Sequence, residues 1–111
     1  MLGNNDKMFI AATFNDNGYV LNFSDSSFDT FTLNSVGIPI KTKYELSKAR
    51  SLAAFIDEAS DEEIIRLTKD LIDYTERFEF LKEKAESLSF IKLKEMVSKF
   101  SVGNSFSSSM L

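Results

Sequence analysis

The stretch from Ser60 to Phe78 constrains this chain more than any other. Ser60-Asp61-Glu62-Glu63 reads as a capping box, in which the Ser hydroxyl and the Glu63 carboxylate each satisfy a backbone amide at a helix start. Asp61 and Glu62 also suit the positive end of the helix dipole. Behind this cap, Ile64, Leu67, Leu71, Tyr74 and Phe78 recur at intervals of 3, 4, 3 and 4, and Ile65 and Ile72 widen the stripe. A helix with so broad an apolar face has to be packed by the rest of the chain.

The segment before it repeats the pattern. Leu46, Ala49, Leu52, Ala53 and Ile56 fall at helical spacing, with Phe55 beside them, which predicts a helix from Tyr44 to about Ala59. After it, Leu81, Ala85 and Leu88 form one apolar stripe, and Phe90, Leu93, Val97 and Phe100 form another displaced in phase. The shift predicts a bend at Ser87-Leu88-Ser89 and a last helix to Phe100.

The first forty residues read differently. Met8–Phe14 and Tyr19–Phe23 are aromatic and β-branched runs separated by Asn15-Asp16-Asn17-Gly18, and Asn-Gly tolerates the positive φ of a tight hairpin turn. Two antiparallel strands are expected. Ser24–Ser27 offers N-caps for a short helix carrying Phe28 and Phe31, and Gly37 with Pro39 ends it. Ile38, Ile40 and Thr42 then suggest a further short strand.

The expected fold class is therefore α+β: an N-terminal antiparallel β-hairpin packed on three or four helices, mostly helical. With 111 residues the chain suits one domain, expected over residues 1–100, followed by a Ser-rich tail at 101–111 in which Phe106, Met110 and Leu111 are candidate anchors.

Composition narrows the chemistry. There are no Cys and no His residues. That removes thiolate and imidazole metal ligands, the commonest general base at neutral pH, and every Ser–His or Cys–His nucleophile. No Gly-rich phosphate loop or dinucleotide fingerprint is present. The expectation is a protein that is not an enzyme and carries neither a metal nor another cofactor. The N-terminus has no basic start followed by an apolar run, and no segment approaches a membrane span, so a cytoplasmic protein without membrane contact is expected.

Charge is polarised. Lys41, Lys43, Lys48 and Arg50 stand against Glu45 alone, for a local +3, whereas residues 57–76 hold eight carboxylates against Arg66 and Lys69, for −6. Two cations on the first turn of a helix oppose its dipole. With Ser47 at the helix start, Lys41, Lys43, Lys48 and Arg50 are the candidate binding residues. They either contact an acidic partner or a phosphate backbone, or pair internally with the acidic second helix, and the internal reading is preferred. Asp70, Asp73 and Glu76 form an acidic ridge that reads as a solvated helix face or as a mimic of DNA phosphates.

Phe23-Ser24, then Phe28 and Phe31, Gly37-Ile38, Tyr44, Ser47-Lys48-Ala49, Leu52 and Phe55, followed by acids and an apolar helix, resemble the N-terminal region of bacterial abortive-infection proteins of the AbiJ type. The resemblance covers roughly residues 19–78, with Leu46 where the family often shows Gly. In that family the region usually precedes a separate effector domain. The resemblance thus implies a stand-alone sensor, adaptor or regulatory subunit in anti-phage defence.

The functional expectation is a protein-interaction module whose partner is another protein or a second copy of the chain. A nucleic-acid sensor using Lys41–Arg50 and an acidic inhibitor imitating DNA are the alternatives.

Overall fold

The computed structural model describes residues 1–109, with side chains through residue 100. The side chains of the Ser-rich segment, with the expected anchors Phe106, Met110 and Leu111, lie outside the described residues. Helix accounts for 76% of the fold. In chain order the elements are α1 (Asn4–Phe14), β1 (Asn15–Asp16), β2 (Tyr19–Val20), α2 (Asp25–Val36), α3 (Ile40–Tyr44), α4 (Lys48–Glu58) and α5 (Asp61–Arg77). A 3-10 turn (Glu79–Leu81), α6 (Lys82–Ala85) and α7 (Leu88–Ser109) follow. The molecule is a helical bundle with a minimal hairpin, which corrects the expected α+β class.

The correction begins at Met8–Phe14, read as a strand but folded as the second half of α1. Ile10 and Phe14 are both fully buried, whereas Met8 is 69% exposed, an i, i+4 pattern rather than an alternating one. Helix is locally supported by Ala11 and Ala12 and by Asp6, whose carboxylate accepts from the Gly3 amide at 3.0 Å. The amide of Leu2 donates to Asp61 Oδ2 at 3.0 Å, tying the chain start to the head of α5.

The hairpin survives only as its turn and two residue pairs, Asn15↔Val20 and Asp16↔Tyr19. Asn17 and Gly18 take φ of 55° and 91°, as the Asn-Gly signal requires. The Gly18 carbonyl accepts from the Ala49 amide at 3.1 Å and so docks the turn on the head of α4. Leu21, at φ 50°, ends the second strand early and sends Phe23 toward α2 and α5.

The expected strand at Ile38–Thr42 is also corrected, since Ile40–Tyr44 is α3. The cause lies in α2. Asp29 accepts from the amides of Lys41 and Thr42 at 2.7 and 3.2 Å, and Thr32 Oγ1 accepts from the buried Ile40 amide at 3.1 Å. Side chains from the preceding helix thus satisfy the first-turn donors that a short helix cannot satisfy itself. Glu45, at φ 56°, closes α3, so the helix expected from Tyr44 begins only at Lys48.

In α5 the capping box is present, with Glu63 N donating to Ser60 Oγ at 3.1 Å and Ser60 N donating to Glu63 Oε1 at 3.2 Å. Ser60→Ala is expected to lower stability by about 1 kcal/mol in urea unfolding, without changing the slope of the transition. Ile64, Leu67 and Leu71 of this helix enter a core shared with Phe28, Leu52, Phe55 and Phe90. The bend before α7 is held by Ser87, whose hydroxyl donates to the Lys84 carbonyl at 2.8 Å and accepts from the Phe90 amide at 3.3 Å.

Candidate interaction surfaces

The basic segment is brought together, but largely on acids of its own chain. Ser47 is the N-cap of α4, its hydroxyl accepting from the Arg50 amide at 3.3 Å. This explains a hydroxyl residue at that position without a ligand. Lys48 is buried; its ammonium donates to Asp25 Oδ1 at 3.0 Å and lies 4.9 Å from the centre of the Tyr19 ring. Lys41 lies 3.8 Å from the other oxygen of Asp25, and Lys43 lies 3.7 Å from Glu58. Arg50 makes no ion pair among the described residues.

The hydrogen bond from Lys48 holds the Asp25 carboxyl below the usual carboxylate range, with Lys41 reinforcing the shift against partial desolvation. Asp25 is the first residue of α2, where the helix dipole also favours its negative charge. The internal partners are therefore the head of α2 and the end of α4, not α5.

Beside this segment the Tyr44 hydroxyl is buried without a hydrogen-bond partner. Burial first, then the Glu58 carboxylate with a smaller contribution from Glu63, pushes its pKa from 10.0 up to about 12. Because burial penalises the phenolate, this group leaves stability independent of pH below pH 10 and lowers it as pH rises from 10.0 through about 12, where the unfolded chain has already lost the proton. Ultraviolet titration is expected to show a phenolate transition near pH 12 that disappears in Tyr44→Phe. The substitution itself should be neutral or stabilising, because it removes a buried polar atom that has no partner.

The acidic ridge is spread over three different contacts. Asp70 accepts from Ser35 Oγ of α2 at 2.6 Å, Asp73 pairs with Arg77 at 2.8 Å, and Glu76 pairs with Lys94 of α7. Asp70 and Glu76 link α5 to α2 and α7, whereas the Asp73–Arg77 pair lies within α5.

An aromatic ladder, not picked out by sequence reasoning, runs from the core to the surface. Phe28, fully buried, contacts Phe23 at 5.6 Å between ring centres; Phe23 stacks on Tyr74 at 4.5 Å, Tyr74 meets Phe78 at 4.7 Å, and Phe78 meets Phe80 at 5.5 Å. The Tyr74 hydroxyl donates to Asn22 at 2.7 Å and fixes the middle rung. Phe80 is 66% exposed. The periodic stripe of α5 had placed Phe78 in the core, but the helix ends at Arg77 and Phe78 takes an extended backbone, which turns its ring outward. The sequence signal was the Phe-Glu-Phe run immediately beyond the helix.

Among the described residues, eight large apolar side chains are exposed, and four of them, Phe78, Phe80, Leu88 and Ile91, fall between positions 78 and 91. Within the same residues no cluster of three or more carboxylates is arranged to hold a metal ion, and no helix is long and apolar enough to cross a membrane. No protein-family model, curated protein or solved structure matches this chain.

Proposed function

We propose that this chain is a non-catalytic, cytoplasmic protein-interaction module that engages its partner through the corner between α5 and α7. The observation that carries the reading is the aromatic ladder ending in exposed Phe78 and Phe80. Aromatic side chains held rigid from below lose little entropy on binding, and such anchors dominate interface energies. Phe78 and Phe80 lie side by side, 5.5 Å between ring centres, and the exposure of this pair has a solvation cost that a partner would relieve. The lysines of the basic segment support a phosphate-binding role less well, because each would have to leave a carboxylate of its own chain.

A role as sensor, adaptor or regulatory subunit in anti-phage defence is part of the proposal and rests on the resemblance over residues 19–78. The test is affinity capture from the source organism with the wild type and Phe80→Ser in parallel, each checked for native helicity. Proteins held by the wild type are expected to fall at least about tenfold with the variant, as removal of a central aromatic anchor implies. Equal capture by both would remove this corner as the binding surface.

A further inference from the structure

We infer that Asn17 is a site of self-deamidation, held in check by the side chain of Asn15. Of the asparagines in this chain, Asn17 alone precedes glycine. It is exposed at the tip of the hairpin turn with φ 55°, and Gly18 follows at φ 91°. Nothing lies within 4 Å of the place where a Cβ on Gly18 would stand. The Gly18 nitrogen is therefore open to the Asn17 side chain, an approach that a β-carbon on the following residue would obstruct.

The reaction consumes only water. The Gly18 nitrogen, after losing its proton to base, attacks Asn17 Cγ; the N–Cγ bond forms, the Cγ–Nδ2 bond breaks, and ammonia leaves with a proton from solvent. Water then opens the cyclic imide at either carbonyl. One opening leaves aspartate at position 17. The other leaves isoaspartate, in which the main chain runs through Cβ and Cγ and is one atom longer.

The first step is opposed by a hydrogen bond. The Gly18 N–H donates to Asn15 Oδ1 at 2.9 Å, so the nitrogen has to give up this acceptor before it can lose its proton and turn toward Asn17. Asn15 is held in place for this by its pairing with Val20 across the hairpin, which makes it a positioning residue.

The product would alter how the hairpin sits on α4. The turn closes the Asp16↔Tyr19 pair, and the Gly18 carbonyl accepts from the Ala49 amide at 3.1 Å. An extra main-chain atom between Asn17 and Gly18 does not fit a two-residue turn, and the new carboxylate stands beside Asp16. Isoaspartate at this position thus loosens the turn from the head of α4.

The full chain is incubated below its unfolding transition at neutral and at alkaline pH, and peptide mass spectrometry follows the loss of amide at each asparagine. Position 17 is expected to convert faster than Asn22 and Asn34, and faster still at the higher pH. Asn15→Ala should speed conversion roughly twofold to tenfold, the factor equivalent to one net hydrogen bond. Asn15→Asp keeps an oxygen acceptor for the Gly18 amide and should stay near the wild-type rate. All variants are compared at matched helicity by circular dichroism. Conversion at position 17 no faster than at Asn22 and Asn34 overturns the site. A rate unchanged in Asn15→Ala, or raised as much in Asn15→Asp, overturns the role of the Asn15 side chain.

Discussion

Phe14→Ala is expected to cost about 3–5 kcal/mol, the range for truncating a fully buried Phe without collapse of the cavity. Phe14 closes α1 with zero exposure and meets the Phe90 ring edge-on at 6.3 Å, so it joins the first helix to the last. For a domain whose total stability is about 5–15 kcal/mol, this loss would bring the variant close to unfolding at growth temperature. Met8→Ala is the informative control. In a strand, Met8, Ile10 and Phe14 would share one face, and both truncations would be costly. In α1, Met8 faces water, and its replacement should stay within about 0.5 kcal/mol of the wild type in urea unfolding.

Thr32→Val is expected to cost about 1–3 kcal/mol, although it barely changes side-chain volume. The Thr32 hydroxyl accepts from the buried Ile40 amide at 3.1 Å, and valine leaves that amide without an acceptor at a place water does not reach. Thr32→Ser keeps the oxygen and should retain this hydrogen bond, losing only the packing of one methyl group. Thermal unfolding of the two variants separates the contributions: if valine is tolerated as well as serine, the hydrogen bond from α2 is not what holds α3 in place.

These two sites also mark where the sequence was hard to read. The capping box and apolar stripe of α5 were legible because every residue that defines the helix lies within it or immediately before it. The run Met8–Phe14 has apolar side chains compatible with both periods. Its helical outcome depends on packing against α4 and α7, which no local pattern contains. For Ile40–Tyr44 the β-branched residues favoured a strand, and the deciding groups, Asp29 and Thr32, sit in the preceding helix. The Asn-Gly signal predicts the turn that is observed, but turn chemistry says nothing about how far the strands extend beyond it, and Leu21 ends one of them.

The same division holds for the surface. That the cations around Lys48 pair internally was a preference from charge balance, but their partners, Asp25 and Glu58, could not be identified from local spacing. Ser47 stood out as a binding residue, and its observed work is helix capping. Phe80 carried no periodic signal, because it lies just past a helix end, where exposure is decided by backbone direction rather than by spacing.

As a binding anchor, Phe80 has to be unnecessary for the fold while available to a partner. Urea unfolding of Phe80→Ser at low protein concentration tests this directly, since dilution keeps association out of the equilibrium. A free energy within about 0.5 kcal/mol of the wild type is expected, because a ring that is 66% exposed adds little to the core. A loss approaching that of Phe14→Ala would mean that the ring holds the fold together, and would contradict its assignment to a binding surface.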